Sequence, residues 1–265
     1  MTEQHGVVSI GIAGSLGPEA GAAVAEAAER AGFRGLWVND TPGSDSLAVL
    51  AAAAASTEHL VLATGVIPVD RRPAAEIVAA VQRLGLPEDR LILGIGAGST
   101  RVGALDLVGE QVRQLTAETG ARVLVGALGP KMRALAAEHA DGALLSWLTP
   151  ARAAEQARQL RDAAPQGAGH VALYARTAVD PRAIARRDEE ARRYATYPAY
   201  AANFARLGMD PLATVLPAPD EDLAAGVAAY TQSVDELVLR VITASDTLDE
   251  HLEFIEAARR ALDAS

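Results

Sequence analysis

The chain has 265 residues, a net charge of −10 and no cysteine, so disulfides, thiolate metal sites and thiol chemistry are excluded. It contains no basic block and no apolar run of the roughly 20 residues that cross a bilayer, which argues against nucleic acid and membrane partners. We expect a cytoplasmic protein whose core is built from Ala, Val and Leu, since aromatic residues make up only 4% of the chain.

Strand-like and helical segments alternate along the whole sequence. Short, continuous apolar runs predict buried strands at 7–12, 35–38, 60–66, 90–96, 123–125, 142–146, 170–176 and 236–242. Helices are predicted at 18–31, 45–56, 74–84, 102–119, 130–138, 150–163 and 247–262, with a longer helical region at 181–230 that prolines interrupt. Such alternation over about 250 residues is typical of a (β/α)₈ barrel. We predict a TIM barrel that forms one domain over 1–265 with few insertions, and a doubly wound sheet is the alternative fold.

The turn after the fifth predicted strand has the sequence of an anion site. Gly126 to Gly129 form a tight turn that a ligand can approach closely, and Pro130 fits the first turn of the helix that follows. Unpaired N–H groups and the positive end of the helix dipole point into such a turn. Lys131, the only lysine of the chain, lies beside it. The alternative is a well-capped turn without a ligand.

The ends of other predicted strands supply further candidates, because ligands of such barrels lie at the C-terminal ends of the strands. Asp40 and Thr41 follow the second strand, although Asp40 alternatively caps the loop after it. The glycines at 94–98 match a dinucleotide-binding loop only in part, because Ser99 stands where its last glycine would be. Trp147 follows the sixth strand and serves either packing or substrate contact. The histidines are scattered without metal-ligand spacing, so no metal site is expected.

Several blocks of residues occur in the order of a known family. They lie at 35–40, 63–66, 72–73, 93–98, 126–132, 140–150 and 235–240, and the blocks at 126–132 and 141–150 are the most specific. With these blocks the chain resembles the bacterial-luciferase-like superfamily, and within it the oxidoreductases that depend on the deazaflavin coenzyme F420. The resemblance implies a luciferase-like (β/α)₈ barrel that binds a flavin or deazaflavin at the C-terminal ends of its strands.

The same resemblance implies positions for the cofactor. Its phosphate lies on the turn at 126–130, and a cis peptide between Gly65 and Val66 forms a bulge behind the ring. The implied cofactor-binding residues are Asp40, Gly65, Val66, Gly96, Gly98, Gly126, Ala127, Leu128, Gly129, Pro130 and Lys131. Asp40 and Thr41 are the predicted catalytic residues, Asp40 orienting the ring edge and Thr41 donating a hydrogen bond. Ser99 and Trp147 are the predicted substrate contacts.

The chain also departs from the family pattern. Thr41 stands where many members have a histidine that acts as base or carbonyl partner, and Ser99 stands where the sugar-phosphate dehydrogenases have an acid. The segment 100–120 is short, so we expect a reduced substrate lid and a more open ring face. These departures disfavour a sugar-phosphate dehydrogenase.

The predicted function is hydride transfer between F420 and an unidentified small organic substrate. The alternatives are an FMN-dependent luciferase-like monooxygenase and a non-catalytic barrel that still binds a cofactor. The resemblance further implies a homodimer, for which the apolar, alanine-rich helices at 45–55 and 74–81 offer a surface. Alanine is a good helix former, so its exposure in these helices does not by itself require a partner.

Overall fold

Parallel strands at the centre of the molecule close on themselves in this computed structural model, which describes residues 6–165 and 169–264. The strands are β1 (Val7–Ala13), β2 (Gly35–Asn39), β3 (Val61–Thr64), β4 (Ile67–Pro68), β5 (Leu91–Gly96), β6 (Arg122–Gly126), β7 (Gly142–Ser146), β8 (His170–Thr177) and β9 (Glu236–Val241). β1 pairs with both β2 and β9, and β3 pairs with β5, so the ring has no open edge. The short β4 follows β3 and also pairs with β5. With β3 and β4 taken as one strand, the barrel has the eight parallel strands that the sequence predicted, and the doubly wound alternative is excluded.

Helices pack around the outside of the barrel. They are α1 (Pro18–Arg30), α2 (Ser46–Ser56), α3 (Ala74–Leu84), α4 (Ala104–Glu118), α5 (Pro130–His139), α6 (Pro150–Ala163), α7 (Pro181–Tyr194), α8 (Pro198–Leu207), α9 (Leu223–Thr231) and α10 (Leu248–Asp263). Several begin at a side chain that accepts hydrogen bonds from the first turn, namely Asp45, Thr149, Asp180, Asp222 and Thr247. α4 starts later than predicted because Gly103, with a left-handed φ of 72°, precedes it. Among the described residues, no helix has the length and apolar character needed to span a bilayer.

The third predicted strand is interrupted at the position where the cis peptide was expected. The Gly65–Val66 peptide, which separates β3 from β4, is cis, and this prediction is confirmed. A β-carbon on Gly96 would lie 2.9 Å from one methyl group of Val66, and a β-carbon on Gly126 would lie 3.0 Å from the other. The glycines that end β5 and β6 therefore give room to the Val66 side chain.

Side chains inside the barrel form an apolar cluster separate from the larger core between strands and helices. The cluster contains Trp37, Val61, Ala63, Ile92, Leu124, Leu144, Ala172, Tyr174 and Val238. The ring of Tyr174 packs edge-on against Trp37, with centroids 5.9 Å apart. Its hydroxyl lies 2.6 Å from the place that a β-carbon on Gly65 would take. Tyr174 thus crosses the interior from β8 to the end of β3 and lies beneath the C-terminal ends of the strands.

The segment between β8 and β9 covers one side of these C-terminal ends. On α8, Arg206 donates a hydrogen bond to the carbonyl of Leu128, in the turn after β6, at 3.4 Å. Tyr194 and Phe204 pack against Trp147, just after β7, with ring centroids 4.8 and 6.1 Å away. The aromatic residues of α7 and α8 thus cover the side formed by β6 to β8, and the reduced lid expected from the short segment 100–120 stays a prediction.

The helices expected to form a dimer surface are largely used within the chain. α2 packs against α1 and α3, and Ala55 is its only exposed residue. α3 exposes Glu76, Gln82 and Arg83 together with two alanines. The homodimer stays a prediction, and α2 does not present the apolar surplus on which it was based.

Candidate functional site

A layer of polar side chains lies at the C-terminal ends of four strands. Because alternate residues of a strand face the same side, the last inward positions follow from the interior cluster by steps of two. These positions hold Asn39 on β2, Ser146 on β7, Arg176 on β8 and Arg240 on β9. The sequence analysis assigned no role to any of them. The signal that could have found them is a polar residue two places beyond an inward-facing apolar residue.

Arg176 is held by partners on three sides. Its guanidinium donates to the hydroxyl of Ser146 at 2.9 Å and pairs with the carboxylate of Glu190 on α7 at 3.1 Å. It also stacks 4.0 Å from the centroid of Trp147 and 4.8 Å from that of Tyr194. Burial alone disfavours the charged form, but Tyr194 and Glu190 outweigh it and raise the pKa of Arg176. Arg176 is therefore a compensated charge that ties α7 to the barrel.

Arg240 has no comparable counterion. Its Nε donates to Oδ1 of Asn39 at 2.8 Å, and Nη1 donates to the carbonyl of Val241. Among the described residues no carboxylate forms an ion pair with it. Burial lowers the pKa of Arg240; the attraction of Glu190 opposes this shift, and the repulsion from Arg176 adds to it. Asn39 in turn donates to the carbonyl of Gly65, so Arg240 is connected to the bulge after β3.

The hydroxyl of Tyr174 is buried and lacks a hydrogen-bond partner within the described part of the chain. The residue is only 3% exposed, and burial raises the pKa of its phenol, so the group is a neutral donor. Buried hydroxyls are normally hydrogen-bonded to protein or water. The Tyr174 hydroxyl lies directly beneath Gly65, and its hydrogen-bonding capacity is not used by the described residues.

The turn after β6 has the geometry expected of an anion site. Gly129 precedes α5, and no side chain caps this helix. Nothing lies within 4 Å of the place where a β-carbon on Gly129 would stand. Lys131 is exposed and makes no hydrogen bond or ion pair with the described residues. The carbonyl of Leu128 faces the other way, since Arg133 donates to it at 3.3 Å.

Asp40 and Thr41 lie at the rim and are already hydrogen-bonded. Oδ2 of Asp40 accepts from the hydroxyl of Ser46 at 2.7 Å, while Oδ1 pairs with Arg71 at 3.0 Å. The alternative interpretation of Asp40, that it caps the following loop, is confirmed by these contacts. The hydroxyls of Thr41 and Ser44 lie 3.0 Å apart. The catalytic roles of Asp40 and Thr41 stay predictions.

Ser99 belongs to a loop that is held by an acid the sequence analysis missed. Both its N–H and its hydroxyl donate to Asp70, at 2.8 and 2.6 Å. Gly98 has a φ of 61°, and a β-carbon there would collide with the Asp70 carboxylate at 1.9 Å. Burial opposes ionisation of Asp70, but the hydrogen bonds from Ser99 outweigh it and lower the pKa of Asp70. Substrate contact by Ser99 stays a prediction.

Trp147 is a packing residue in this structure. It is 1% exposed, has a left-handed φ of 57°, and lies between Arg176 and Tyr194. Its indole N–H is a second buried donor without a partner among the described residues. This burial favours the packing interpretation, and the proposed substrate contact is left as a prediction.

The predicted cofactor residues fall into two connected groups and two outlying residues, of which one is Asp40 at the rim. Gly65, Val66, Gly96 and Gly126 meet at the centre, where the Val66 methyl groups lie over the two strand ends. Residues 127–131 continue from Gly126 into the open turn and α5. Gly98 lies apart with the Asp70 loop.

Residues 9–114 match the family model described as luciferase-like monooxygenase. No curated protein sequence matches the chain. Because the family match spans fewer than half of the residues, the solved structures carry the rest of the comparison.

Three solved structures illustrate the similarity. The monooxygenase RslO1 from Streptomyces bottropensis is 17% identical, with 97% of this chain and 99% of that chain covered and a TM-score of 0.72. The coenzyme F420-dependent tetrahydromethanopterin reductase from Methanopyrus kandleri is 15% identical, with coverages of 98% and 99% and a TM-score of 0.69. The oxygenating constituent of 3,6-diketocamphane monooxygenase from Pseudomonas putida, in complex with FMN, is 12% identical, with coverages of 97% and 98% and a TM-score of 0.71.

At these identities the structural likeness establishes the fold, a luciferase-like TIM barrel. Together with the family match, it confirms the resemblance to the luciferase-like superfamily that the sequence motifs indicated, with F420-dependent enzymes among the similar structures.

Proposed function

We propose that this protein is an oxidoreductase that binds coenzyme F420 at the C-terminal ends of its strands and serves hydride transfer to or from a small organic substrate. The observation that carries the proposal is the uncapped start of α5, with open space at Gly129 and the unpartnered Lys131 beside it. A helix N-terminus without a cap has N–H groups available to an anion.

The turn fits the phosphate of such a cofactor. A phosphate needs several donors and a favourable field, and here α5 supplies N–H groups, its dipole and the charge of Lys131. Arg133 and Arg206 lie behind the turn, where both donate to the carbonyl of Leu128. They hold the turn and add positive charge, while Gly129 leaves the approach clear.

The centre of the site fits a flat ring. The partly exposed methyl groups of Val66 give an apolar support over Gly96 and Gly126. Asn39 and Arg240 border this support with polar atoms. A deazaflavin bound here would supply hydride transfer, whereas the protein supplies position and electrostatics. Asp40 and Thr41 are proposed to orient the ring edge and donate a hydrogen bond, rather than to act as a base.

Two other functions have support of their own. Both F420 and FMN offer a phosphate to the same turn, and an FMN complex is among the similar structures, which supports an FMN-dependent monooxygenase. Thr41 stands where many family members have a histidine, and Ser99 stands where the sugar-phosphate dehydrogenases have an acid, which supports a barrel that binds a cofactor without turnover.

Cofactor retention followed by turnover tests the proposal. The protein is mixed separately with F420 and FMN, dialysed, and examined by absorbance, and retention of F420 is expected. The loaded protein is then assayed for reduction of carbonyls and enones by reduced F420. Retention of FMN alone would favour the monooxygenase, and F420 binding without turnover over a broad substrate panel would favour the non-catalytic barrel.

A further inference from the structure

The charges at the C-terminal end of the barrel interior do not balance. Two guanidinium groups, those of Arg176 and Arg240, belong to the inward polar layer, and one carboxylate, that of Glu190, faces them. Arg176 and Glu190 form a direct pair. Arg240 makes only neutral contacts, to Asn39 and Val241. One positive charge is therefore left without a counterion in a partly buried position.

The other acids near this end are occupied elsewhere. Asp40 pairs with Arg71 at the rim, and Asp246 pairs with Arg186 of α7. Removing a cation from water costs free energy that a partner of opposite charge normally offsets. No carboxylate in the described part of the chain makes a direct ion pair with Arg240, although Glu190 and Asp246 attract it from further away.

A second observation points the same way. Four buried side-chain polar atoms of the described residues lack hydrogen-bond partners, and two of them, Tyr174 Oη and Trp147 Nε1, lie around the same polar layer. Both are donors as they stand, because burial keeps the Tyr174 phenol protonated. The field of Arg240 and Arg176 acts on the Tyr174 hydroxyl as well. Both donors are enclosed, Trp147 against Arg176 and Tyr174 beneath Gly65, so they do not themselves contact a ligand. They contribute no negative charge that could compensate Arg240.

We propose that Arg240 is a substrate-binding residue that receives a carboxylate group of a small organic acid. The proposal names the substrate class of the site and rests on the proposed function for the position of the substrate beside the cofactor ring. A single carboxylate supplies the one missing negative charge, and its two oxygens match the planar guanidinium fork. Asn39 links Arg240 to the carbonyl of Gly65, so this corner adjoins the Val66 support that is proposed for the cofactor ring.

Binding of a probe acid tests the proposal without any turnover. The probes are 4-fluorobenzoate and its neutral counterpart 4-fluorobenzamide, whose dissociation constants are measured by fluorine NMR on the protein alone and on the protein with saturating F420. We expect the acid to bind at least about tenfold more tightly than the amide in one or both states. Arg240→Gln should remove this preference, and Arg240→Lys should keep part of it. Arg101→Gln, which removes an exposed arginine in the loop before α4, should leave the preference unchanged.

Each outcome decides the proposal. Equal affinity for acid and amide in the wild-type protein, or an unchanged preference in folded Arg240→Gln, would overturn it. If Arg240→Gln does not fold, the wild-type preference together with its reduction in Arg240→Lys supports the proposal, and absence of either result overturns it. A preference for the acid in a protein that retains neither F420 nor FMN would support the anion site while rejecting the proposed function.

Discussion

The two ends of the barrel interior differ in whether their buried charged side chain has a partner of opposite charge. Glu236 and Arg240 lie on the same face of β9, four residues apart. Oε1 of Glu236, at the N-terminal end, accepts from the Ser9 hydroxyl and from the Trp37 indole at 2.6 Å, and Oε2 lies 3.1 Å from His170. Arg240, at the C-terminal end, has no ion partner. At the N-terminal end the buried carboxylate has all its partners and stabilises the fold. At the C-terminal end polar groups remain available to a ligand, as is general for TIM barrels.

The largest effect on the free energy of unfolding is expected at the N-terminal end of the barrel. Glu236→Ala would leave the Ser9 hydroxyl, the Trp37 indole and His170 without their acceptor, and we expect it to lower the free energy of unfolding by about 3 kcal/mol or more. Urea denaturation measures this. Arg240→Gln, a milder change at the C-terminal end, should change the same free energy by less than about 1 kcal/mol. Similar losses of unfolding free energy in both variants would contradict the contrast between the two ends of the barrel.

The pH dependence of stability tests whether the ionised carboxylate of Glu236 stabilises the N-terminal end. Burial opposes ionisation of Glu236, but the hydrogen bonds from His170, Ser9 and Trp37 outweigh it and lower the pKa of its carboxyl. A lowered pKa in the folded state gives stability that is present above the unfolded value of about 4.3 and is lost as the pH falls through the folded value. The advantage of the wild-type protein over Glu236→Gln should therefore shrink below about pH 4. An advantage that is constant from pH 7 to pH 3 would show that ionisation of Glu236 is not involved.

At the C-terminal end of the barrel, the charge of Lys131 should affect ligand affinity and not the stability of the fold. Lys131→Ala should weaken F420 binding by roughly 1–2 kcal/mol, with a smaller loss at high salt, and should leave the unfolding free energy nearly unchanged. Fluorescence titration at two salt concentrations measures the effect. Arg122→Gln removes an exposed arginine from the opposite end of β6 and should not affect binding. Equal behaviour of the two variants would show that Lys131 faces bulk solvent.

The smallest effect concerns two buried tyrosines. The hydroxyl of Tyr230 donates to the carbonyl of Leu148 at 2.7 Å, whereas that of Tyr174 has no partner among the described residues. Tyr230→Phe should therefore cost about 1 kcal/mol of unfolding free energy. Tyr174→Phe should cost nothing or stabilise the protein slightly. A loss in Tyr174→Phe as large as that in Tyr230→Phe would show that the Tyr174 hydroxyl is already satisfied in the folded protein.

Periodicity and turn chemistry predicted most of the fold. Continuous apolar runs indicated strands buried on both faces, and Pro130 marked a helix start that the structure contains. The start of α5 after Gly129 could be predicted because every part of that turn is local in sequence. Gly129 has a φ of −100°, so glycine is needed there for open space and not for a left-handed backbone.

The rest of the site depends on contacts that no local pattern contains. Arg240 meets Asn39 across 201 positions of sequence, and Arg176 meets Ser146 across 30. Only closure of the barrel brings such residues together. The cover formed by α7 and α8 was missed for the same reason, because Tyr194 and Phe204 acquire a partner in Trp147 only when the chain folds back over β7.

The central claim, that the turn before α5 holds the phosphate of the cofactor, is tested most directly by Gly129→Val. The position has extended backbone, with ψ of 160°, and free space around it, so valine should be accepted by the fold while its branched side chain blocks the approach of a phosphate. F420 is titrated into wild-type protein, Gly129→Val and Ala134→Val, an exposed change on the same helix, after circular dichroism has shown that all three are folded. We predict that wild-type protein and Ala134→Val bind F420 alike and that Gly129→Val binds it at least about a hundredfold more weakly, a loss of about 2.7 kcal/mol. Unchanged affinity in folded Gly129→Val would contradict the account.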